Sequence, residues 1–200
     1  GELNTTNLDD LVNIADFIVN IKGLNYGNSP KGLILFHTYE DGNRTAFEEH
    51  LVEAAHYACK NKLAKVHFTV SQEHLDAVQG LINSKIGAFE KKFGVTYEIT
   101  YSVQKTSTDT IAVDMNNEPF RNKENEILFR PGGHGALIHN LNDIEDELLF
   151  IKNIDNVVPD TIKKQTVEYK KALAGILLST KNKIHSYINC LLYTSDAADD

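Results

Sequence analysis

The sequence predicts an α/β protein, a three-layer α/β/α sandwich with a mostly parallel central sheet. Three observations indicate this class. Segments with helical spacing of apolar residues alternate with short apolar segments along the chain. Residues 33–36 and 148–151 are continuous apolar runs, which are typical of strands covered on both faces. Residues 95–103 alternate apolar and polar side chains with a period of two.

Four segments carry the helical pattern. The first is residues 7–22, and the second begins at Thr45, where Thr-Ala-Phe-Glu is a capping box. The third follows Ser71 and extends to about residue 93. The fourth follows Pro159, because proline suits the first turn of a helix. We expect the second and third helices to pack on the central sheet.

The strands of that sheet lie between the helices. We expect them near residues 33–36, 66–70, 95–103 and 148–152, and the first, second and fourth of these to lie side by side. The turn-rich residues 116–126 predict a hairpin between short strands at 111–113 and 127–129. Because no repeat, linker or change in composition divides the chain, residues 1–189 are expected to form one domain.

A glycine-rich loop and a carboxylate lie on either side of the predicted 148–151 strand. The loop, Pro131-Gly132-Gly133-His134-Gly135, has too much glycine for the interior of a helix or strand. We therefore expect a turn whose backbone can approach a ligand closely. Polar residues follow the strand at the end where open α/β sheets bind ligands. They are Asn153, Asp155 and Asn156.

This loop, followed by a strand ending in Asn-x-Asp-Asn, resembles the UDP-sugar pyrophosphorylases of the nucleotide-diphospho-sugar transferase superfamily. Residues 99–178 resemble still more closely a bacterial domain family of unknown function placed in that superfamily. The resemblance implies a truncated nucleotide-diphospho-sugar transferase fold. It also implies a nucleotidyltransferase, which joins a nucleoside triphosphate to a sugar-1-phosphate and releases pyrophosphate.

The resemblance also assigns roles to individual residues. It implies that the loop glycines Gly132, Gly133 and Gly135 lie against the base and ribose, with Gln104 near the nucleotide. From their positions, Asn153 and Asn156 are also expected to contact the nucleotide, and His134 either hydrogen-bonds it or shapes the loop. Asp155 would bind the catalytic Mg²⁺, and Lys31, which follows Pro30, would contact phosphate. Asp155 and Lys31 are therefore the expected catalytic residues.

Other interpretations of the same residues stay open. The alternative function is a non-catalytic domain of the same fold that binds a nucleotide or a nucleotide sugar. The glycines could form an ordinary tight turn, and Lys31 could be a surface lysine. A P-loop is excluded because the loop lacks the required lysine, and the dinucleotide-binding fingerprint is broken at Ile138. His134 and His139 do not have the spacing of a helical zinc pair.

The composition indicates which classes of partner and which cellular compartment to expect. A chain of 200 residues with 42% hydrophobic content can bury a sizeable core. The formal net charge of −8 argues against a nucleic-acid-binding protein, which needs a basic face. No apolar run approaches the roughly 20 residues that a membrane span requires. We therefore expect a cytoplasmic protein without membrane or nucleic-acid partners.

The ends of the chain predict a fragment. Residues 190–200 resemble one translated frame of a transposon-derived sequencing adapter, and the alternative is an acidic native tail. With an adapter, Cys59 is the one native cysteine, which excludes an internal disulfide and suits a reducing compartment. The glycine- and arginine-containing phosphate loop that the resemblance implies would lie before Gly1.

Overall fold

The computed structural model describes residues 7–196, and side chains as far as residue 191. Within that range five α-helices and seven strands follow one another. In chain order they are α1 (Leu8–Val19), β1 (Leu35–Tyr39), β2 (Gly42–Thr45), α2 (Ala46–Tyr57), β3 (Cys59–Lys60), β4 (Leu63–Val70), α3 (Leu75–Phe93), β5 (Thr96–Val103), β6 (Thr110–Ile111), β7 (Phe129–Arg130), α4 (Ile138–Leu141) and α5 (Asp160–Asp196).

The strands form three small sheets, so the predicted sandwich with a mostly parallel central sheet is wrong. β1 pairs with β2, and β6 with β7, both in antiparallel hairpins. The largest sheet of the described chain has the order β3-β4-β5. In it β3 and β4 are antiparallel, whereas β4 and β5 are parallel in register from Leu63↔Thr96 to Val70↔Val103. The chain is α/β, but its strands are divided between separate sheets.

The hydrophobic core lies between α2, α3 and one face of the β4–β5 pair. This arrangement confirms the predicted packing of the second and third helices and the strands near 66–70 and 95–103. The buried members of the core are Phe47, Leu51, Val52, Ala54, Ala64, Phe68, Val78, Ile82, Phe89 and Tyr97. The opposite face of β4 and β5 carries polar side chains, since successive residues of a strand point to opposite faces.

Helix α2 begins at the predicted capping box. The Thr45 hydroxyl accepts a hydrogen bond from the Glu48 backbone N–H at 3.3 Å, and the Glu48 carboxylate accepts one from the Thr45 N–H at 2.8 Å. Both backbone donors would otherwise lack partners at a buried helix end. The cap therefore stabilises the helix that supplies the centre of the core.

The predicted strand at 33–36 is shifted along the chain and belongs to a hairpin. Lys31–Leu33 is a 3-10 turn, and β1 begins at Leu35. β2 folds back on β1 because Gly42, with φ of +124°, takes a conformation that other residues rarely adopt. Asp41-Gly42 is a strong hairpin signal. It directs this apolar segment into a local antiparallel pair rather than into a sheet with β4.

The predicted strand at 148–151 is also wrong, because these residues form an irregular segment. Phe150 packs edge-on against Tyr57 of α2, with ring centroids 4.9 Å apart, and Ile151 is 67% exposed. A short apolar run without periodicity is equally compatible with a strand and with a loop that covers a helix. Here it covers the side of α2.

The hairpin predicted after β5 is confirmed. Thr110 pairs with Arg130 and Ile111 with Phe129, and isolated bridges join Val113 to Pro119 and Arg121 to Ile127.

Helix α5 follows Pro159, whose carbonyl accepts a hydrogen bond from the Ile162 N–H at 3.1 Å. Its predicted apolar side is largely exposed: Tyr169, Leu173 and Ile176 each expose more than half of their surface. α5 continues through residue 196, so it includes part of the segment predicted to be an adapter, whereas residues 197–200 lie outside the described residues. None of the helices within residues 7–196 has the length and apolarity to cross a membrane.

Candidate functional site

A cleft of about 1890 Å³ lies beside the β4–β5 pair. One wall is the polar face of these two strands together with the side of α2. The other wall is the segment from His134 to Ile154 and the middle of α5. The polar face contributes Lys65, His67, Thr69, Glu98, Thr100 and Ser102. Parallel strands are normally covered by apolar side chains on both faces, so this face departs from the usual pattern.

Four of these side chains form a hydrogen-bonded cluster, which we call the polar row: His67, Thr69, Thr100 and Ser102. The His67 ring lies between two hydroxyls, with Nδ1 2.8 Å from Thr100 Oγ1 and Nε2 2.9 Å from Ser102 Oγ. Thr69 Oγ1 is 3.1 Å from Ser102 Oγ. Burial lowers the pKa of His67 below its ordinary value of 6.5, so the imidazole is neutral at pH 7. The polar row is therefore uncharged.

Asn140 of α4 lies at the end of the polar row. Its Nδ2 donates to Ser102 Oγ at 3.0 Å and to the Val103 carbonyl at 2.9 Å. Because a carbonyl can only accept, these bonds settle which end of the amide is the nitrogen. The Oδ1 atom is buried and has no hydrogen-bond partner among the described residues. A buried acceptor without a donor is unusual, and because less than 1 Å² of this atom is accessible, a ligand in the cleft does not reach it.

The two predicted catalytic residues form an ion pair at the exposed edge of the cleft, which we call its mouth; Lys31 belongs to the described lining and Asp155 does not. Lys31 Nζ lies 2.9 Å from Asp155 Oδ2, although the residues are 124 positions apart in sequence. The hydrogen bond from Lys31 lowers the pKa of Asp155 below 3.8, with a smaller contribution from His134, so the carboxylate is ionised. The Lys31 side chain is 70% exposed and lines the cleft. A lysine and an aspartate from distant segments are thus available to a ligand together.

The other predicted site residues divide into two groups. His134, Gly135 and Asn153 line the cleft with Lys31, whereas Gln104, Gly132, Gly133 and Asn156 are absent from its described lining. Gln104 Nε2 donates to the Gly132 carbonyl at 3.2 Å, which holds the start of the glycine loop against the end of β5. The Asn156 N–H donates to the Asn153 carbonyl at 3.1 Å in a tight turn.

The glycine loop needs glycine at one position for packing. A Cβ on Gly132 would lie 2.6 Å from the Thr108 carbonyl oxygen, which is closer than real Cβ atoms approach. A Cβ on Gly133 or Gly135 would meet nothing within 4 Å, and neither has a positive φ. Gly132 therefore lets the loop pack against the segment after β5, while Gly133 and Gly135 leave open space.

Residues 3–199 match the family described as Domain of unknown function (DUF4301). The chain belongs to the DUF4301 family. This confirms the predicted membership in a domain family of unknown function, and nothing links the family to the UDP-sugar pyrophosphorylases. No curated protein and no solved structure matches the chain.

The described part of the DUF4301 chain does not offer a preformed cage for Mg²⁺. Among residues 7–196 no group of three or more histidine, cysteine, aspartate or glutamate side chains is placed to hold a metal. A single carboxylate such as Asp155 can hold Mg²⁺ when substrate phosphates supply the other ligands, as in many phosphate-binding sites. Its present cationic partner is Lys31, so Lys31 would have to turn away from the carboxylate.

A second cluster of charges, which the sequence patterns do not reveal, joins α5 to α2 and the first hairpin. Glu49 is fully buried and accepts a hydrogen bond from Tyr39 Oη at 2.6 Å, and His37 Nδ1 lies 3.1 Å away. Its other oxygen is paired with Lys163, which is 3% exposed. Arg44 lies 3.8 Å from the same oxygen. Buried charges of opposite sign must stay paired, so this cluster fixes where α5 begins.

The neighbouring carboxylate on α2 connects this region with the cleft. Glu53 Oε2 accepts hydrogen bonds from Tyr57 Oη at 2.7 Å and from Lys152 Nζ at 2.5 Å. Its Oε1 is buried without a partner in the described chain. Tyr57 and Lys152 both line the cleft. Burial and the hydrogen bond to Glu53 raise the pKa of Tyr57, so it remains a neutral donor.

Proposed function

We propose that this DUF4301 domain binds a nucleotide or a nucleotide sugar in the cleft. The observation that carries the proposal is the Lys31–Asp155 ion pair at the mouth of a cleft that His134 and the uncharged polar row also line. The mouth can bind a phosphate group, and the polar row can hydrogen-bond the uncharged part of the same ligand. Ligand sites commonly combine a concave surface with a few convergent polar groups.

The charges around the cleft are nearly balanced, although the chain as a whole has a net charge of −8. The described lining has five lysines and four carboxylate residues, and Asp155 pairs with Lys31 beside it. Local cations of this kind offset the repulsion between an acidic protein and a polyanion. Lys31 is an accessible candidate, because a phosphate oxygen can replace Asp155 as its partner without burying the ammonium.

Nucleotidyl transfer is the second candidate function, and the Lys31–Asp155 contact is the observation that favours it. In such a reaction an oxygen of a sugar-1-phosphate attacks the α-phosphate of a nucleoside triphosphate. A new P–O bond forms while the bond to pyrophosphate breaks. Mg²⁺ bound by Asp155 and the triphosphate would supply charge neutralisation. Lys31 would donate hydrogen bonds to the phosphate oxygens.

Binding is tested by calorimetric titration of the chain with ATP, GTP, CTP, UTP and UDP-glucose, each with and without Mg²⁺. We expect Lys31→Ala to weaken the binding of the best ligand about tenfold, because a charge-assisted hydrogen bond to phosphate is lost. Lys92→Ala is the matched control, since Lys92 forms an exposed pair with Asp41 at 2.8 Å outside the described cleft lining. Equal effects of the two substitutions, or no binding at millimolar ligand, would contradict the proposal.

Asp155→Asn separates the two candidates. Without Mg²⁺, the substitution removes the carboxylate that competes for Lys31, so we expect nucleotide to bind about threefold more tightly. If the domain is a transferase, the same variant loses Mg²⁺-dependent pyrophosphate release by about 10²-fold or more. Asp41→Asn is the control for both measurements. Tighter binding without any turnover in the wild type assigns the domain to ligand binding alone.

A further inference from the structure

We infer that the polar row formed by His67, Thr69, Thr100 and Ser102 is a subsite for a sugar ring, held by its hydroxyl groups. This inference rests on the proposed function, which places the phosphate at the mouth of the cleft. The inference names the part of the same ligand that the polar row binds. It concerns residues to which the sequence patterns assign no role.

The first argument is the chemistry of the polar row. A neutral imidazole offers one N–H donor and one acceptor, and each hydroxyl can both donate and accept. A sugar hydroxyl has the same dual capacity, so it can exchange bonds with such a row without leaving a donor or acceptor unpaired. A phosphate presents only acceptors at neutral pH and fits the cations at the mouth better.

The second argument is the other wall of the cleft. Leu137, Ile138, Leu141 and Ile144 also line the cleft, on the segment whose Asn140 contacts the end of the polar row. A sugar ring has hydroxyls around its edge and C–H groups on its faces, so it suits a slot with one hydrogen-bonding wall and one aliphatic wall. A nucleobase suits an aromatic stacking surface and fixed donors and acceptors better than rotatable hydroxyls.

The test compares UDP with UDP-glucose by calorimetric titration, which isolates the contribution of the sugar. In the wild type we expect UDP-glucose to bind more tightly than UDP. His67→Phe should reduce that preference about tenfold and leave the affinity for UDP nearly unchanged, because it removes two hydrogen-bonding positions from the row. His139→Phe is the matched control, since His139 is exposed on α4 and absent from the described cleft lining.

Ser102→Ala provides a second variant with a smaller change in shape, and it should reduce the same preference. Equal losses for UDP and UDP-glucose in His67→Phe would overturn the inference and leave nucleotide binding intact, because the row would then contact the nucleotide. If no nucleotide binds, the proposed function fails separately. In that case glucose at millimolar concentration should still shift the His67 imidazole resonances, and unchanged resonances would overturn the subsite.

Discussion

Replacing Lys163 with methionine tests the buried charge cluster that joins α5 to α2. Methionine keeps an unbranched side chain of similar length but removes the ammonium group. Lys163 is 3% exposed and paired with Glu49, which is fully buried. The substitution therefore leaves a carboxylate in the interior with one cation fewer. We expect a large loss of stability from a single change that lies outside the cleft.

The magnitude follows from burial and from the contacts that remain. Breaking a buried ion pair by removing one partner costs about 3–5 kcal/mol. Arg44 stays 3.8 Å from Glu49, and Tyr39 Oη continues to donate at 2.6 Å. These contacts compensate part of the loss, so we expect about 3 kcal/mol, the lower end of the range. With a urea dependence of about 2 kcal/mol per molar, the unfolding midpoint should fall by about 1.5 M.

The assay is urea unfolding followed by circular dichroism at pH 7. Lys164→Met is the matched control in the same helix, because the Lys164 side chain is 87% exposed and lies 3.9 Å from Glu168. An exposed pair of this kind is worth less than about 0.5 kcal/mol. A midpoint for Lys163→Met within about 0.3 M of the Lys164→Met value would refute the reasoning.

The double variant Glu49→Leu/Lys163→Met tests whether the unpaired Glu49 carboxylate causes the loss of stability. Because the double change removes both partners, it should cost less than the sum of the single changes, with a coupling of about 1–3 kcal/mol. Additive losses would mean that the two side chains stabilise the fold independently.

Three further predictions concern the glycine loop, the partly buried His50 and the C-terminal segment. Gly132→Ala should lower the melting temperature by about 4 °C or more, because the new Cβ meets the Thr108 carbonyl. Gly133→Ala, whose Cβ meets nothing, should change the melting temperature by less than about 2 °C. Equal effects of the two substitutions would contradict this account of the loop. Burial lowers the pKa of His50 below 6.5, so the unfolded chain binds more protons and the free energy of unfolding should fall as the pH drops below about 6.5. The urea midpoint should decrease less between pH 7 and pH 5 in His50→Gln than in the wild type. An equal decrease in both would mean that other groups cause the pH dependence. Genomic reads that cross residue 189 should continue with codons unlike those for residues 190–200, and native reads that encode this segment would refute the adapter origin.

Most of the individual helices and the most regular strand could be predicted from the sequence, because their signals are local. The capping box at Thr45 and the apolar spacing behind it specify α2 from a dozen neighbouring residues. The strict alternation through residues 95–103 specifies β5 in the same way. These patterns depend on the geometry of a single helix or strand, and packing only had to be compatible with them.

The candidate site was predictable in part. Lys31, His134, Gly135 and Asn153 line the cleft, and Asp155 joins them through its ion pair with Lys31. The glycine-rich loop indicated His134 and Gly135, the place after the predicted 148–151 strand indicated Asn153 and Asp155, and the resemblance to the UDP-sugar pyrophosphorylases indicated Lys31. His67 and Ser102 gave no signal, because a polar residue in an alternating strand is normally exposed to water. Only the segment after Gly135, folding over that face, converts it into the wall of a cleft.

The sequence by itself determined the α/β class, the positions of α2, α3 and β5, and the hairpin after β5. The tertiary structure alone decided which strands pair, and it placed Leu148–Ile151 in a loop against α2 instead of in a sheet. The physical reason is that an apolar run records the need for burial but does not identify its partner. The same holds for charged residues. Glu49 and Lys163 are ordinary helix residues in the sequence, and they become a buried ion pair only because the fold brings together positions 114 residues apart.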